Sequence, residues 1–310
     1  MAFSAQVGIT TLLDQTLVAL NSATQPLDPQ PTHALFNLDH YRMYDAWNAL
    51  HREGRAFVRL QINFLHNQGF TAVLSDDIAN QLPELRERLK NQFQFFGDAM
   101  LRTGAIGECA APFGTPGSAN CPVWLEAQRL CARARWRNEN SQAGSPTSTA
   151  NIEQVVATYE MVDAEMIAED FPDGIKSLRW GLQHADHATE DQLARLKALN
   201  CGVSMSGFRW LQGNPRADGL PVGPLFPRIL ASGARRRGPT RCPSRARWCA
   251  SSATASRWGT NWPHAGQSAA PDDGQLVDLL AEIAPSEAQR QALLVDNPRR
   301  LYRFPQPLRR

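Results

Sequence analysis

The chain alternates short apolar runs with longer amphipathic ones. Residues 7–13 (VGITTLL) are β-branched and apolar, and residues 57–65 place apolar side chains at every second position, so both predict strands. Between them, residues 41–53 carry apolar side chains at helical spacing and end before Gly54, a common helix terminator. Strand, helix and strand therefore follow one another in this first part of the chain.

The alternation continues downstream. The next predicted elements are a helix marked by Leu85, Leu89, Phe93 and Phe96, a short strand at 105–109, and helices at 124–134 and 152–168. On their size and apolarity, Trp124 and Trp180 are predicted core residues.

The clearest unit spans residues 177–205. Residues 177–184 alternate, with Leu178, Trp180 and Leu182 on one face of a predicted strand. Thr189 and Gln192 have the spacing of a capping box, so a helix is predicted to begin there, and residues 202–205 return as a strand. Repeated strand–helix order predicts a parallel α/β fold and favours a (β/α) TIM-type barrel over a doubly wound sheet, because no glycine-rich nucleotide motif is present.

Composition narrows the functional classes. The 310 residues are 43% hydrophobic and 20% charged with a net charge of +2, which is typical of a globular protein and gives no electrostatic case for a nucleic-acid or membrane partner. The 6 cysteines form no C-x-x-C pair and predict neither a disulfide framework nor a zinc cluster. No signal peptide and no membrane-length apolar run is visible, so we expect a cytoplasmic protein.

One segment has no periodicity of either kind. Residues 234–257 contain 7 arginines and 2 cysteines, and no acidic residue occurs between Asp218 and Asp272. The segment is open to three interpretations: a basic nucleic-acid or phosphate patch, a disordered loop, or an out-of-frame translation. We hypothesise the third, because one shifted-frame reading with GC-rich codons gives an amphipathic helix followed by a strand. The nucleotide sequence across this segment tests the hypothesis.

Particular stretches of sequence resemble known families. In residues 258–304, WGTNWPH, PDDGQLVDLL and LLVDNPRRLY resemble the amidohydrolase-related family, close to pyrone-dicarboxylate lactonases. Residues 8–233 resemble another branch of the amidohydrolase superfamily, the predicted metal-dependent hydrolases, through GITTLLDQ and WGLQHADHATEDQLARLKALNCGVSM. The resemblance implies three regions: a partial barrel at 1–233, the low-order basic segment at 234–257, and a C-terminal barrel strand with helices at 258–310.

The same resemblance implies a metal-dependent hydrolase that attacks a small cyclic ester or amide with a metal-activated water. It implies a divalent ion, zinc or manganese, with His184 and His187 as ligands and with His264 and His66 near the substrate. Asn261 stands where the family has the aspartate that takes a proton from water, and an amide cannot act as that base.

Each candidate also has a structural interpretation. His184 and His66 would then be hydrogen-bonded residues at strand ends, His187 a loop residue, and Asn261 part of a turn. Glu108 and Glu139 are either metal ligands or solvated carboxylates.

The sequence also departs from the family. The His-x-His pair of the first barrel strand is absent, and residues 137–141 (RNENS) stand where another histidine is usual. A catalytic zinc site usually needs about three protein ligands. The alternative function is therefore an inactive barrel remnant with no complete metal site and no metal bound. A barrel with a missing first strand and a corrupted strand region has open edges, so we expect poor solubility or a homo-oligomer.

Overall fold

Strands and helices alternate along most of the described part of the chain. The structure, a computed structural model, describes residues 10–14, 40–64, 82–83, 85–90, 93–111, 120–142, 149–183, 185, 188–204, 235–237, 286–297, 299 and 303. The strands are β1 Thr11–Asp14, β2 Arg59–Phe64, β3 Leu101–Ala111, β4 Asn138–Gln142, β5 Gly181–Gln183, β6 Gly202–Ser204 and β7 Arg235–Arg237. The helices are α1 His40–Arg52, α2 Asn120–Arg133, α3 Thr149–Ala168, α4 Glu190–Ala198 and α5 Glu287–Gln291, which continues as a π-helical turn at Ala292–Asp296.

All seven strands belong to one parallel sheet in chain order, β1-β2-β3-β4-β5-β6-β7. Each strand pairs with the next one along the chain, and helices lie between most successive strands. This is the order of a (β/α) barrel. Among the described residues, no pairing joins β7 back to β1. The prediction of an incomplete α/β barrel is confirmed.

The hydrophobic core lies between the sheet and helices α2, α3 and α4. Trp180 is fully buried there, and its ring meets the ring of Tyr159 edge to face at 5.2 Å. The indole nitrogen of Trp180 donates a hydrogen bond to the carbonyl oxygen of Trp136 at 2.9 Å. Trp124 is 4% exposed, so both tryptophans predicted to be core residues are confirmed as such.

Helix α4 begins with the predicted capping box. The hydroxyl of Thr189 accepts from the backbone N–H of Gln192 at 3.2 Å, and the Gln192 side chain accepts from the backbone N–H of Thr189 at 3.0 Å. Its apolar stripe is buried against the core at Leu193, Leu196 and Leu199. Local sequence alone fixes the start of this helix.

The strand predicted at 177–184 is shorter than expected. A 3-10 turn occupies Lys176–Leu178, and Arg179 has the left-handed backbone angle φ 57°. A left-handed residue interrupts the extended conformation, so the alternation that suggested a strand at Leu178 does not describe a strand there. The strand itself begins at Gly181.

The predicted helix through Phe93 and Phe96 is also wrong in its second half. Helical residues are seen at 85–90, while Phe93 and Phe96 lie in a loop and are 69% and 62% exposed. The carboxylate of Asp98 accepts from the backbone N–H groups of Met100 and Leu101 at 2.7 and 3.0 Å. These local hydrogen bonds form a turn immediately before β3. The helix therefore does not continue through the apolar positions that suggested it.

Ion pairs join the outer surfaces of α2, α3 and α4. Arg129 and Arg133 of α2 each hold a glutamate of α3, Glu165 and Glu169, through two hydrogen bonds of 2.6–2.9 Å. Arg195 of α4 holds the other end of α3 through Glu153 and Glu160. The three helices are thereby fixed side by side over the core.

These ion pairs predict a stability that falls in acid. The hydrogen bonds from Arg129 and Arg133 hold the pKa values of Glu165 and Glu169, respectively, below the ordinary value of 4.5. Hydrogen bonds from Gln192 and Arg195 likewise lower the pKa of Glu153. A carboxylate whose pKa is lowered by folding contributes stability above about pH 4.5, and that contribution is lost as the pH falls through the folded-state pKa. We expect the unfolding temperature to fall between pH 5 and pH 3, as measured by circular dichroism at low salt.

The control for this acid dependence is the double variant Arg129→Gln/Arg133→Gln. It should be less stable at pH 7 and should lose less stability between pH 5 and pH 3. Exposed pairs each contribute little, so the expected effect is a few degrees in total. An identical pH profile for the double variant and the parent would contradict the assignment.

The basic segment at 234–257 contributes β7, which pairs with β6 through Arg235, Arg236 and Arg237. The other residues of the segment lie outside the described part of the chain, and the proposed division into three regions stays a prediction. None of the helices in the described ranges combines the length and apolarity needed to cross a bilayer. Of the described cysteines, Cys131 and Cys201 are buried and lie outside any disulfide.

Candidate functional site

The two faces of the sheet differ in what they contact. On β4, Asn138 and Asn140 donate to the side-chain oxygen of Gln128 in α2 at 2.6 and 2.7 Å, and Asn140 also contacts the hydroxyl of Tyr159 in α3 at 2.8 Å. Their face therefore meets the helices. Successive residues of a strand point to opposite sides, so Glu139 lies on the inner face, away from the helices.

The inner face of β2 to β5 is polar and enclosed. Five of its residues are each 4% exposed or less: Gln61, Asn63, Arg137, Glu139 and Gln183. In (β/α) barrels the interior towards the carboxyl ends of the strands is where active sites lie. We call these five residues the inner polar face and treat them as the candidate site.

Glu139 is the central charge of the inner polar face. One carboxylate oxygen pairs with the guanidinium of Arg137, and the other accepts from the side-chain amide of Gln183. The side chains of Glu139 and Arg137 are 0% and 3% exposed. The interpretation of Glu139 as a solvated carboxylate is therefore wrong: the charge is buried, and burial requires the pairing that is seen.

Two amides of β2 converge on Gly104 of β3. The side-chain oxygen of Asn63 accepts from the backbone N–H of Ala105 at 2.8 Å. A Cβ atom at Gly104 would overlap the side chains of both Asn63 and Gln61, so glycine permits this close approach. Within the described part of the chain, the side-chain nitrogen of Asn63 and both amide atoms of Gln61 have no hydrogen-bond partner.

The predicted site residues His66, His184, His187, Asn261 and His264 all lie outside the described residues. Strand β5 ends at Gln183, one residue before His184. Their roles therefore stay predictions.

Sequence reasoning missed most of the inner polar face. A signal was present in β2, where Gln61 and Asn63 alternate with Leu60 and Ile62. Uncharged amides, rather than charged residues, at the polar positions of a strand are suited to an enclosed face.

The described residues do not by themselves fit a metal ion. They contain no group of three or more histidine, cysteine, aspartate or glutamate side chains that could hold one. Both carboxylate oxygens of Glu139 already have partners. A metal centre would depend on His184 and His187.

Comparison with known proteins gives short matches to one family and to several of its hydrolases. The amidohydrolase family matches residues 257–304. A 4-sulfomuconolactone hydrolase of Hydrogenophaga intermedia is 54% identical over 48 residues, which are 14% of this chain and 16% of that protein. A 2-pyrone-4,6-dicarboxylate hydrolase of Comamonas testosteroni is 56% identical over 46 residues, which are 14% of this chain and 15% of that protein. The matches thus span about a sixth of the length of these relatives.

Among solved structures, atrazine chlorohydrolase of Arthrobacter aurescens TC1 superimposes with a TM-score of 0.43 at 15% identity, covering 76% of this chain and 46% of that one. The sequence match is the informative comparison, and of its residues the structure describes 286–297, 299 and 303, which include α5. Residues 257–304 of the chain are thus similar to the amidohydrolase family.

Proposed function

We propose that this protein is a hydrolase of lactones. The observation that carries the proposal is the 54% identity over 48 residues to a 4-sulfomuconolactone hydrolase, supported by the similar identity to a pyrone-dicarboxylate hydrolase. A parallel sheet with an enclosed polar inner face is a setting in which a small cyclic ester could be bound and attacked by water.

The described residues would bind and orient the substrate. Gln61 and Asn63 offer amide N–H groups to a carbonyl oxygen, and Arg137 pairs with the buried Glu139 and fixes it in place. A divalent zinc or manganese ion, held by His184 and His187, would supply an activated water when bound.

The proposal is tested with the full-length protein and a panel of five- and six-membered lactones, after loading with Zn²⁺ or Mn²⁺ and after treatment with EDTA. We expect metal-dependent ring opening that His184→Ala reduces by about a hundredfold or more, which is the scale of losing a group that positions the nucleophile. Bound metal, measured by plasma mass spectrometry, should fall in the same variant.

The matched control is His51→Ala. His51 is held by Asp98 through a 2.6 Å contact at the end of α1, away from the inner polar face, so turnover and metal content should be retained. Turnover that persists in His184→Ala at the level of His51→Ala would contradict the proposed role of His184.

The second candidate function is an inactive barrel remnant. One observation favours it: both oxygens of the buried Glu139 are already engaged by protein groups, which suits a structural carboxylate. Folded protein that binds no metal and opens no lactone of the panel would support the remnant and contradict the hydrolase.

A further inference from the structure

The turn that precedes β3 is closed by its own backbone. We call residues 93–100 the β3 turn. The backbone N–H of Thr103 donates to the carbonyl oxygen of Phe96 at 2.7 Å, across the turn. Gly97 has a positive φ of 129°, and a Cβ atom there would overlap the carbonyl oxygen of Leu101. Because only glycine fits this position, the β3 turn is held in one tight conformation.

The second residue of β3 connects the β3 turn to the C-terminal part of the chain. The guanidinium of Arg102 donates to the backbone carbonyl of Phe95 at 3.0 Å. It also donates to the backbone carbonyl of Arg303, which is 201 residues further along the chain. The guanidinium of Arg303 lies 4.4 Å from the centre of the Phe95 ring. A charged hydrogen bond and a cation–π contact therefore join the two regions.

Both residues that Arg102 joins have a left-handed backbone. The angle φ is 59° at Phe95 and 54° at Arg303. Residues other than glycine adopt this conformation at a cost, and they keep it where surrounding contacts hold them in place. Two such residues meet at one guanidinium, which indicates that the contact determines the conformation of both.

The charge of Arg102 is accommodated within this contact. Arg102 is 8% exposed. Burial lowers the pKa of Arg102, Asp98 acts in the opposite direction, and the neighbouring guanidinium of Arg303 lowers the pKa further. Two carbonyl acceptors and the nearby carboxylate thus surround a nearly buried cation. Removal of the guanidinium would take the charged donor away from the carbonyl of Arg303.

We propose that Arg102 and Phe95 form a clasp that fastens the chain's own C-terminal segment to the first half of the sheet. The segment includes Arg303 and is the part similar to the amidohydrolase family, residues 257–304. The hydrophobic core between the sheet and α2, α3 and α4 is built from other residues. Opening the clasp should therefore release the C-terminal segment while that core stays folded.

Hydrogen exchange of the full-length protein, resolved into peptides by mass spectrometry, tests the clasp. Arg102→Met keeps the apolar stem of the side chain and removes the guanidinium. It should accelerate exchange of the peptides that cover α5 and Arg303 by about tenfold, the scale for losing a hydrogen bond from a charged group. Phe95→Leu removes the cation–π contact and should accelerate the same peptides by about threefold. Peptides of α3 should exchange at the parent rate in both variants.

Two matched controls separate the clasp from a general loosening. Phe93→Leu changes a phenylalanine of the same turn that is 69% exposed and whose ring meets that of Phe96, so exchange at α5 should not change. Arg135→Met removes another arginine with the same two kinds of contact. Arg135 donates to the carbonyl of Gly174 at 3.0 Å and lies 5.2 Å from the ring centre of Phe171. Its loss should accelerate exchange around Gly174 and leave α5 at the parent rate.

Unchanged exchange of the α5 and Arg303 peptides in both Arg102→Met and Phe95→Leu would overturn the clasp. Equal acceleration of α3 and α5 in Phe95→Leu would also overturn it, because the release would then be global. The same holds if Phe93→Leu accelerates α5 as much as Phe95→Leu does. If Arg102→Met does not fold, Phe95→Leu and its control decide the outcome.

Discussion

Replacement of Glu139 by alanine is expected to lower the free energy of unfolding by about 3–5 kcal/mol, the scale for removing one partner of a buried ion pair. Glu139 and Arg137 are 0% and 3% exposed, so water cannot replace the lost carboxylate. The guanidinium would be left in an enclosed face, and Gln183 would lose the acceptor of its amide. Urea unfolding followed by tryptophan fluorescence measures the change.

The control for this prediction removes both charges together. Arg137→Met/Glu139→Met replaces the pair by apolar side chains of similar length, and such replacements of buried pairs are often neutral or stabilising. We expect the double variant to be more stable than Glu139→Ala. A double variant that is as unstable as the single one would mean that loss of charge pairing is not the cause.

Replacement of Trp180 by alanine is expected to cost a similar amount, about 3–5 kcal/mol, because a large aromatic side chain leaves a cavity in the core. Its side chain is fully buried, packs edge to face on Tyr159 and donates to the carbonyl of Trp136. That hydrogen bond joins the residue just before β5 to the second residue before β4. The variant should unfold at lower urea concentration, and its far-ultraviolet circular dichroism should report whether the sheet persists.

Met161→Ala is the matched control for Trp180→Ala. Met161 lies on α3, the helix that also carries Tyr159, but it is 47% exposed. We expect a change within about 0.5 kcal/mol. If Met161→Ala were as destabilising as Trp180→Ala, packing beneath α3 would not explain the effect.

The parts of the fold that the sequence predicts are those set by local chemistry. The capping box at Thr189 and Gln192 begins a helix because two backbone donors are satisfied by neighbouring side chains, whatever lies around them. Trp124 and Trp180 are buried because their size leaves few other stable positions. The order of strands and helices follows from the same kind of repeated signal.

The parts that the sequence does not predict depend on tertiary surroundings. Apolar spacing continues through Phe93 and Phe96, yet the backbone hydrogen bonds to Asp98 hold a turn there. The left-handed conformation of Arg179 has no sequence signal of the kind that glycine or asparagine would give.

The candidate site is the least predictable part. In a strand with one solvated face, polar residues such as Gln61 and Asn63 would face water, but in this sheet they lie on an enclosed face. Likewise, nothing local in the sequence distinguishes a buried Glu139 from a surface carboxylate. Its environment is created by Arg137 and by Gln183, which is 44 residues away in sequence.

Among the described strands, β7 is the last of the sheet, and it consists of three consecutive arginines. A terminal strand offers a template on which another chain can build, and natural proteins commonly oppose such growth with charge. Two copies brought together along β7 would face each other with a formal charge of +3 on each side, so this border discourages stacking of one copy on another. Strand β1, with the sequence TLLD, lacks that protection. If copies of this protein associate through their sheets, we expect the interface to form along β1. A moderate increase in salt should also allow association along β7, because salt screens the charge of the arginines.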